Sequence, residues 1–355
     1  MATTEGTIPG LEQAIVSDFF TAKVLEDDLA RLLRERAAEV RRLVARLRDQ
    51  GITRIFFVGC GGSYALLYSG AYLLDRFTRL PAQALTAYEF VGRGSPAVDA
   101  RALVVLASYS GDTEDAVAAL RFARERGATT LSFVRTLDNT MARESTHAIP
   151  YASIALYAAP LVLLHLLCLE WARLDGVTTA TEALSALEGL PAALGRVYRS
   201  SEASARAHAT RLRDASVLYV LAAGALYGLG YKFALTVFME NIRIHGSMIH
   251  SAEFRHGPNE MLDRNTAPMV FLLADDEQRE IGERVLAFVR ARGVDTVVFD
   301  AAEYAEIHPL LAPFALLVPL EWFTIYSCAL RGITDLDERV YMGKGILATA
   351  GRSWP

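Results

Sequence analysis

Three stretches carry residue types that could do chemistry. The first, Ser108-Tyr109-Ser110-Gly111-Asp112-Thr113, sets aliphatic hydroxyls and a glycine directly behind the apolar run 102–107, and the segment 115–122 that follows has helical spacing. A buried strand turning into a helix through such residues gathers hydroxyls and backbone N–H groups where the helix dipole is positive, which is a recipe for a phosphate cradle. The same residue types are also favoured helix N-caps, and the stretch alone leaves both readings open. The second, Gly59-Cys60-Gly61-Gly62-Ser63-Tyr64, follows the short apolar strand 54–58. Its glycines let a ligand approach the backbone, and Ser63 stands where a helix begins. It has neither the full GxGxxG spacing nor a GK[ST] ending, so a dinucleotide or a P-loop nucleotide fits it poorly.

The third stretch joins Glu240, in a helix expected over 231–245, to His256 within Ser251-Ala252-Glu253-Phe254-Arg255-His256-Gly257-Pro258. Glu240 follows Phe233, Ala234, Leu235, Val237, Phe238 and Met239, and such apolar surroundings predict a carboxyl raised toward the range of a useful base. The Gly-Pro turn after His256 would hold its ring in place. A carboxylate and an imidazole suit proton transfers among the carbons and oxygens of a sugar. Against this, Glu240 could simply pair with Arg243 on its own helix, and His256 could be an ordinary satisfied loop residue.

These loops need elements to position them. Apolar runs at 54–58, 84–87, 102–107 and 129–134 alternate with helical spacing, behind an amphipathic helical stretch from 17 to 49 that carries Phe19, Phe20, Leu25, Leu29, Leu32, Val40, Leu43 and Leu47. Strand–helix alternation predicts a parallel sheet with right-handed crossovers. Ligands then sit at the carboxyl ends of the strands, where both small-residue loops emerge. Two helices, 178–190 and 191–212, bridge to a second series: Val220 to Tyr227 lies under Phe57 to Tyr64, 268–273 under the strand before Ser108, and 280–293 under the helix that ends at Gly127. The chain therefore reads as an internal duplication. The second copy has Leu226 in place of Ser63, and Ala274-Asp275-Asp276-Glu277 in place of the serine loop. Carboxylates repel phosphate, so this half is expected to bind none and to supply Glu240 and His256 instead.

Composition narrows the class. A chain of 355 residues, 52% apolar, can bury one large core or two ordinary ones. A net charge of −5 argues against nucleic acid or an anionic membrane surface as the main partner. Cys60, Cys168 and Cys328 are far apart with no CxxC pair, so neither a disulfide framework nor a cysteine metal site is expected, and a reduced, cytoplasmic setting is. The N-terminus lacks the pattern of a signal peptide. The uncharged stretch 152–169 is close to membrane-spanning length, but Pro160 and His165 interrupt it and no second such span is read elsewhere. Burial at a domain or subunit interface is expected for it.

The ordered motifs Gly59-Cys60-Gly61-Gly62-Ser63, Ser108 to Thr113, and Glu240 with the later His256-Gly257-Pro258, together with the duplication and the tail Asp335-Leu336-Asp337-Glu338-Arg339-Val340-Tyr341-Met342-Gly343-Lys344, resemble the sugar isomerase (SIS) domain family. The chain is similar to the isomerase half of glucosamine-6-phosphate synthases and, more closely, to fructoselysine-6-phosphate and related Amadori-product deglycases. The resemblance implies an α/β fold of two tandem SIS domains, each a parallel sheet flanked by helices: a helical segment 1–50, a first domain 35–175, a second 190–335 and a tail 336–355. It implies that Gly61, Gly62, Ser63, Ser108, Ser110 and Thr113 hold a sugar phosphate. Glu240 would be the base between C1 and C2, and His256, supplied by the neighbouring subunit of a homodimer, would serve ring opening and oxygen protonation. Lys344 is a weaker candidate matching a tail lysine. No cofactor and no metal are implied, and the partner is a small sugar phosphate.

Two departures from the synthases favour a deglycase. With Ala2 near its start and about 50 residues before the first strand, the sequence is not expected to carry a glutaminase domain with its cysteine, and Val237 stands where the synthases carry a lysine. The reaction expected is release of glucose 6-phosphate and a free amine from a fructosamine 6-phosphate. The alternatives are an aldose–ketose isomerase or amino-sugar-phosphate deaminase, and a sugar-phosphate-sensing regulator without turnover. Loops 89–97 and 245–252 are expected to set the identity of the amine.

Overall fold

The computed structural model describes residues 20–264 and 266–342. A π-helical turn at Val24–Asp28 runs into helix α1 (Leu29–Asp49), which buries Leu32, Val40, Leu43, Val44 and Leu47 along one stripe. The amphipathic stretch is thus one rod with a π-wound start. There follow β1 (Arg54–Gly59), α2 (Gly61–Phe77), β2 (Ala82–Thr86), α3 (Ala87–Arg93), β3 (Ala102–Ser108), α4 (Glu114–Glu125), β4 (Thr129–Val134), α5 (Thr140–Glu144) and β5 (His147–Pro150). The five strands form one parallel sheet in the order β2-β1-β3-β4-β5. Strand alternation divides its side chains between two faces. Phe56, Val58, Val104 and Leu106 pack with Phe90, Val117 and Leu120 beneath α3 and α4, whereas Ile55, Phe57, Leu103 and Val105 face the opposite way into the large central core.

The chain continues through α6 (Ala158–Leu174), α7 (Thr178–Arg211), β6 (Val217–Ala222), α8 (Tyr227–Tyr231), a π-helix at Lys232–Ile242, β7 (His245–His250), β8 (Met269–Leu273), α9 (Arg279–Arg290), β9 (Thr296–Asp300) and α10 (Ala312–Leu330). Its second parallel sheet has the order β7-β6-β8-β9. Leu218, Val220, Val270 and Leu272 enter the same central core as the first sheet, while Leu221, Phe271 and Leu273 pack with Val285 and Val289 of α9 on the outer face. Two sheets therefore share one helical middle layer.

Three expectations change. Segment 178–212 is a single helix, α7, with Pro191 buried inside it between buried Leu187 and Leu194, so packing keeps continuous what proline alone would break. Segment 245–250 is not a loop but the edge strand β7, and residues 89–93 belong to α3. Of the stretch 152–169, Ala152 and Leu156 are exposed but every residue from Ala158 onward is buried, as expected; among the described residues the helix long and apolar enough to cross a membrane is instead the 22-residue Pro309–Leu330, and 89% of its most apolar window is buried against the protein's own core.

The duplication has a geometric signature. Tyr64 and Tyr68 on α2 correspond to Tyr227 and Tyr231 on α8, and the rings pair crosswise: Tyr64 with Tyr231 at 5.1 Å, Tyr68 with Tyr227 at 4.8 Å. Each contact is the other's counterpart under a local two-fold that passes between α2 and α8, and this brings the start of α2 against the π-helix.

Candidate active site

In each sheet the chain leaves its first strand to one side and later continues on the other, so the strand order reverses between β1 and β3 and again between β6 and β8. The loops after β1 and β3, Gly59 to Ser63 and Ser108 to Thr113, flank the first of these reversals, the place where open α/β sheets bind ligands. The first loop touches the helix that follows the second: the Cys60 thiol lies 3.7 Å from a carboxylate oxygen of Asp115 in the first turn of α4. Burial, and then the Asp115 charge, push that thiol up to about 11.

Within the second loop the hydroxyls face each other. Ser108 Oγ is 3.0 Å from Thr113 Oγ1 and 3.5 Å from Ser110 Oγ, and Ser110 and Thr113 are 3.4 Å apart. Ser108 Oγ also accepts the Gly111 N–H at 3.0 Å, and Ser110 Oγ accepts the Asp112 N–H at 3.2 Å. Thr113 stands at the N-cap of α4 yet makes no side-chain cap bond. The capping reading of this loop therefore fails for its threonine, and three hydroxyls converge on one another at the mouth of a helix. The acid in the loop is turned aside, because Asp112 accepts the Thr140 N–H at 2.9 Å, a bond that holds its carboxyl below the usual range. Gly111 makes this turn possible: its φ of +70° is the left-handed region, and a Cβ there would lie 2.2 Å from the buried Asn139 amide. The first turn of α2, beginning at Gly61, carries no acidic residue, so its positive end is open to an anion, and Ser63 is half-buried there.

Gly62 also lines a second feature, a cleft of about 200 Å³ that Glu240 shares. A methyl placed on Gly61 would touch Thr236 of the π-helix at 3.7 Å, which fixes how closely the phosphate-type loop and that helix approach. The π-helix is an uncommon winding of the kind found at functional sites. It turns Lys232, Thr236, Val237, Glu240 and Asn241 onto the cleft wall. The tail closes the cleft from outside: Asn241 Nδ2 donates to the Leu336 carbonyl at 2.7 Å, and Arg243 pairs with Glu338 at 2.6 Å.

Glu240 is not desolvated by its apolar helix neighbours. Its side chain keeps 34% of its exposure and faces Arg339 Nε at 3.6 Å. The expected partner Arg243 is engaged elsewhere, so the simple helix ion pair does not form. His256 follows a 3-10 turn and precedes Gly257 at φ 134°, as the Gly-Pro signal required. Its ring is exposed, accepts the Arg255 Nε–H at Nε2 (3.0 Å), and does not line the Glu240 cleft. The structure thus brings Glu240 to the Gly62 loop and leaves His256 outside that cleft within one chain. Lys344 lies outside the described residues. Arg339, Lys232 and Glu321 are cleft residues that sequence reasoning did not single out; a lone lysine among apolar helix residues was the available signal for Lys232.

Comparison with known proteins agrees with this picture. The SIS domain pattern matches residues 47–169. The chain is 32% identical over 328 residues to the fructoselysine 6-phosphate deglycase of Escherichia coli (strain K12), covering 92% of this chain and 96% of that one. It is 31% identical over 348 residues to a glutamine–fructose-6-phosphate aminotransferase of Thermus thermophilus, where it spans 91% of its own length and 56% of the relative's. Among solved structures, a Bacillus subtilis protein named as a phosphosugar isomerase superposes with a TM-score of 0.75 at 30% identity, covering 86% of this chain and 97% of the other.

Proposed function

The chain belongs to the SIS domain family of phosphosugar enzymes, and from that premise we propose that it is a deglycase of 6-phosphorylated Amadori compounds, releasing glucose 6-phosphate and a free amine. The observation that carries this reading is that Glu240 shares one cleft with Gly62 of the glycine loop, whose neighbour at the strand-order reversal is the hydroxyl cluster of Ser108, Ser110 and Thr113. Homology to a deglycase over nearly the whole of both chains supports it.

In this reading Gly61, Gly62, Ser63, Ser108, Ser110 and Thr113 hold the phosphate, and Glu240 takes the C1 proton of the fructosamine to give an enaminol. Return of a proton to C2 gives an imine at C1. Water adds to that carbon, the C1–N bond breaks with a proton going to nitrogen, and glucose 6-phosphate and the amine leave. His256 serves as acid and base at the sugar oxygens. Because its exposed ring does not line the cleft of its own chain, we assign it to the neighbour's cleft in an isologous homodimer. The same proposal divides the chain into a phosphate-holding half, 35–175, a proton-transfer half, 190–335, and a tail, 336–355, and places the enzyme in the cytoplasm, where its three thiols stay reduced.

Incubation with fructoselysine 6-phosphate and assay of glucose 6-phosphate tests the reaction. Interconversion of fructose and glucose 6-phosphates without cleavage of the conjugate would assign the chain to the isomerases instead. Glu240→Gln should lower turnover by ~10²–10⁴, the usual worth of a positioned base, while retaining affinity for the phosphate ester; full activity in that variant would remove Glu240 from the mechanism.

A further inference from the structure

The Glu240 cleft holds a second, unassigned set of polar groups. Lys232 Nζ, from the same π-helix, lies 2.9 Å from Glu321 Oε1 of α10, with the two side chains only 11% and 18% exposed. The ammonium also stands 4.2 Å from the Phe233 ring centroid and 5.2 Å from that of Tyr157. Tyr157 lines the cleft and buries its hydroxyl without a hydrogen-bond partner among the described residues. Apolar walls from Leu25, Val318 and Ile325 surround these groups.

Stability is a poor reason for such a pair. Taking two charges out of water costs several kcal/mol per ion, and apolar replacements are often neutral or better. A paired cation and anion in an apolar wall, next to an unsatisfied hydroxyl, instead has the makings of a recognition site. We propose that Lys232 and Glu321 form the subsite for the amine half of the substrate and select amines whose far end carries both an ammonium and a carboxylate, the zwitterionic head of an amino acid. This rests on the deglycase reading. With the phosphate at the glycine and serine loops and the reacting carbons at Glu240, the rest of the cleft receives whatever is attached through the C1 nitrogen.

The chemistry favours a zwitterion over simpler ends. A carboxylate takes the place of Glu321 on Lys232, an ammonium takes the place of Lys232 on Glu321, and every charge leaves with a partner. An uncharged alkyl end crowds the pair and offers it nothing, and an end bearing one charge leaves one protein charge buried and unmatched. Discrimination of this kind resides in the polar groups left unpaired by the wrong substrate.

The test compares two conjugates of fructose 6-phosphate, one formed through the side-chain amine of lysine and one through n-pentylamine, by glucose 6-phosphate release. The wild type should prefer the lysine conjugate by about tenfold or more in kcat/KM, the worth of one charge-assisted hydrogen bond. Lys232→Met and Glu321→Gln should each collapse that ratio toward one. A wild-type ratio near one overturns the inference alone and leaves the deglycase reading standing. Equal losses on both conjugates, with the ratio preserved, would make the pair structural and also overturn it. Release from neither conjugate by the wild type overturns the deglycase reading and this subsite together. Should the variants fail to fold, the wild-type ratio decides.

Discussion

Gly111→Ala is the sharpest perturbation of the hydroxyl loop, because the structure says what an added methyl would meet. Gly111 sits at φ +70°, where a Cβ costs about 1–2 kcal/mol. That methyl would lie 2.2 Å from both Cγ and Oδ1 of Asn139, a contact that cannot persist. Asn139 has little room to yield. It is 2% exposed, its Oδ1 caps α5 by accepting the Ala142 N–H at 2.8 Å, and its Nδ2 donates to the Thr136 carbonyl at 2.6 Å. Losing the cap costs about 1 kcal/mol and stranding a buried amide about 1–3. A total of about 3–6 kcal/mol is expected, a large part of the 5–15 that holds a typical domain. Urea unfolding measures it. The decisive comparison is the cycle with Asn139→Ala: once the amide is gone the methyl has space, so the double variant should be more stable than the sum of the single losses by at least about 1 kcal/mol. Additive losses would mean that the two residues do not press on one another, and a wild-type midpoint for Gly111→Ala would refute the geometry outright. The same variant should raise KM for phosphate esters, since Gly111 N–H and the Ser108 hydroxyl would no longer be held together.

Complementation tests the shared site: mixing inactive Glu240→Gln and His256→Ala proteins and letting subunits exchange should restore about a quarter of wild-type activity, the share of sites that are intact in a random mixture of two-fold dimers. No recovery would place both residues in one subunit's site or outside the mechanism. His165, bonded through Nδ1 to the Leu161 carbonyl at 2.9 Å, is buried and driven down to about 4 by desolvation. The unfolded chain takes up this proton below about 6.5 and the folded one does not, so stability should fall by about 1.4 kcal/mol per unit as pH drops from 6.5 toward 4, and His165→Gln should flatten that slope in unfolding measured between pH 5 and 7. Cys60, raised to about 11, should react with iodoacetamide near pH 8 about a hundredfold more slowly in the folded protein than in urea, and equal rates would contradict its burial beside Asp115.

Much of this was readable from local sequence. Strands β1, β3, β4, β6 and β8 are short, mostly apolar runs, and the serine loop declared itself by residue type because its hydroxyls all come from one turn of chain. What escaped notice depends on distant partners or weak patterns. β5 is only His147–Pro150, and β7 reads His245-Gly246-Ser247-Met248-Ile249-His250, without the alternation of a half-buried strand. The setting of Glu240 was misread for a related reason. Phe233, Ala234 and Phe238 point into the core, while the π-winding turns Glu240 and Val237 to a cleft where charges from α10 and the tail also gather. Glu321 and Arg339 are remote in sequence from the helix they face, and no spacing within that helix could name them.

The second reversal explains why a duplicated fold carries one hydroxyl cluster rather than two. Where the first half has Ser63 and the serine loop, the second has Leu226 and the turn after β8, and the turn carries its own anion. Asp276 accepts the Gln278 N–H at 2.9 Å and leans over the start of the loop after β6: a Cβ on Gly224, at φ +56°, would lie 2.9 Å from its Oδ2 and 3.2 Å from the hydroxyl of Tyr72. Burial raises the Asp276 carboxyl, the signature of a group removed from water. A carboxylate lodged where the first half is open occupies the space and the potential that a phosphate would need. Tyr72, together with Arg76 pairing to Glu277, brings α2 of the first half down over this closed end. The counterpart of α2 under the local two-fold is the helix from Tyr227 through the π-helix, which lies over the open end and carries Glu240. The two halves therefore perform the same packing with opposite results: one reversal is sealed by an internal anion and a tyrosine, and the other is left open beneath the helix that bears the candidate base.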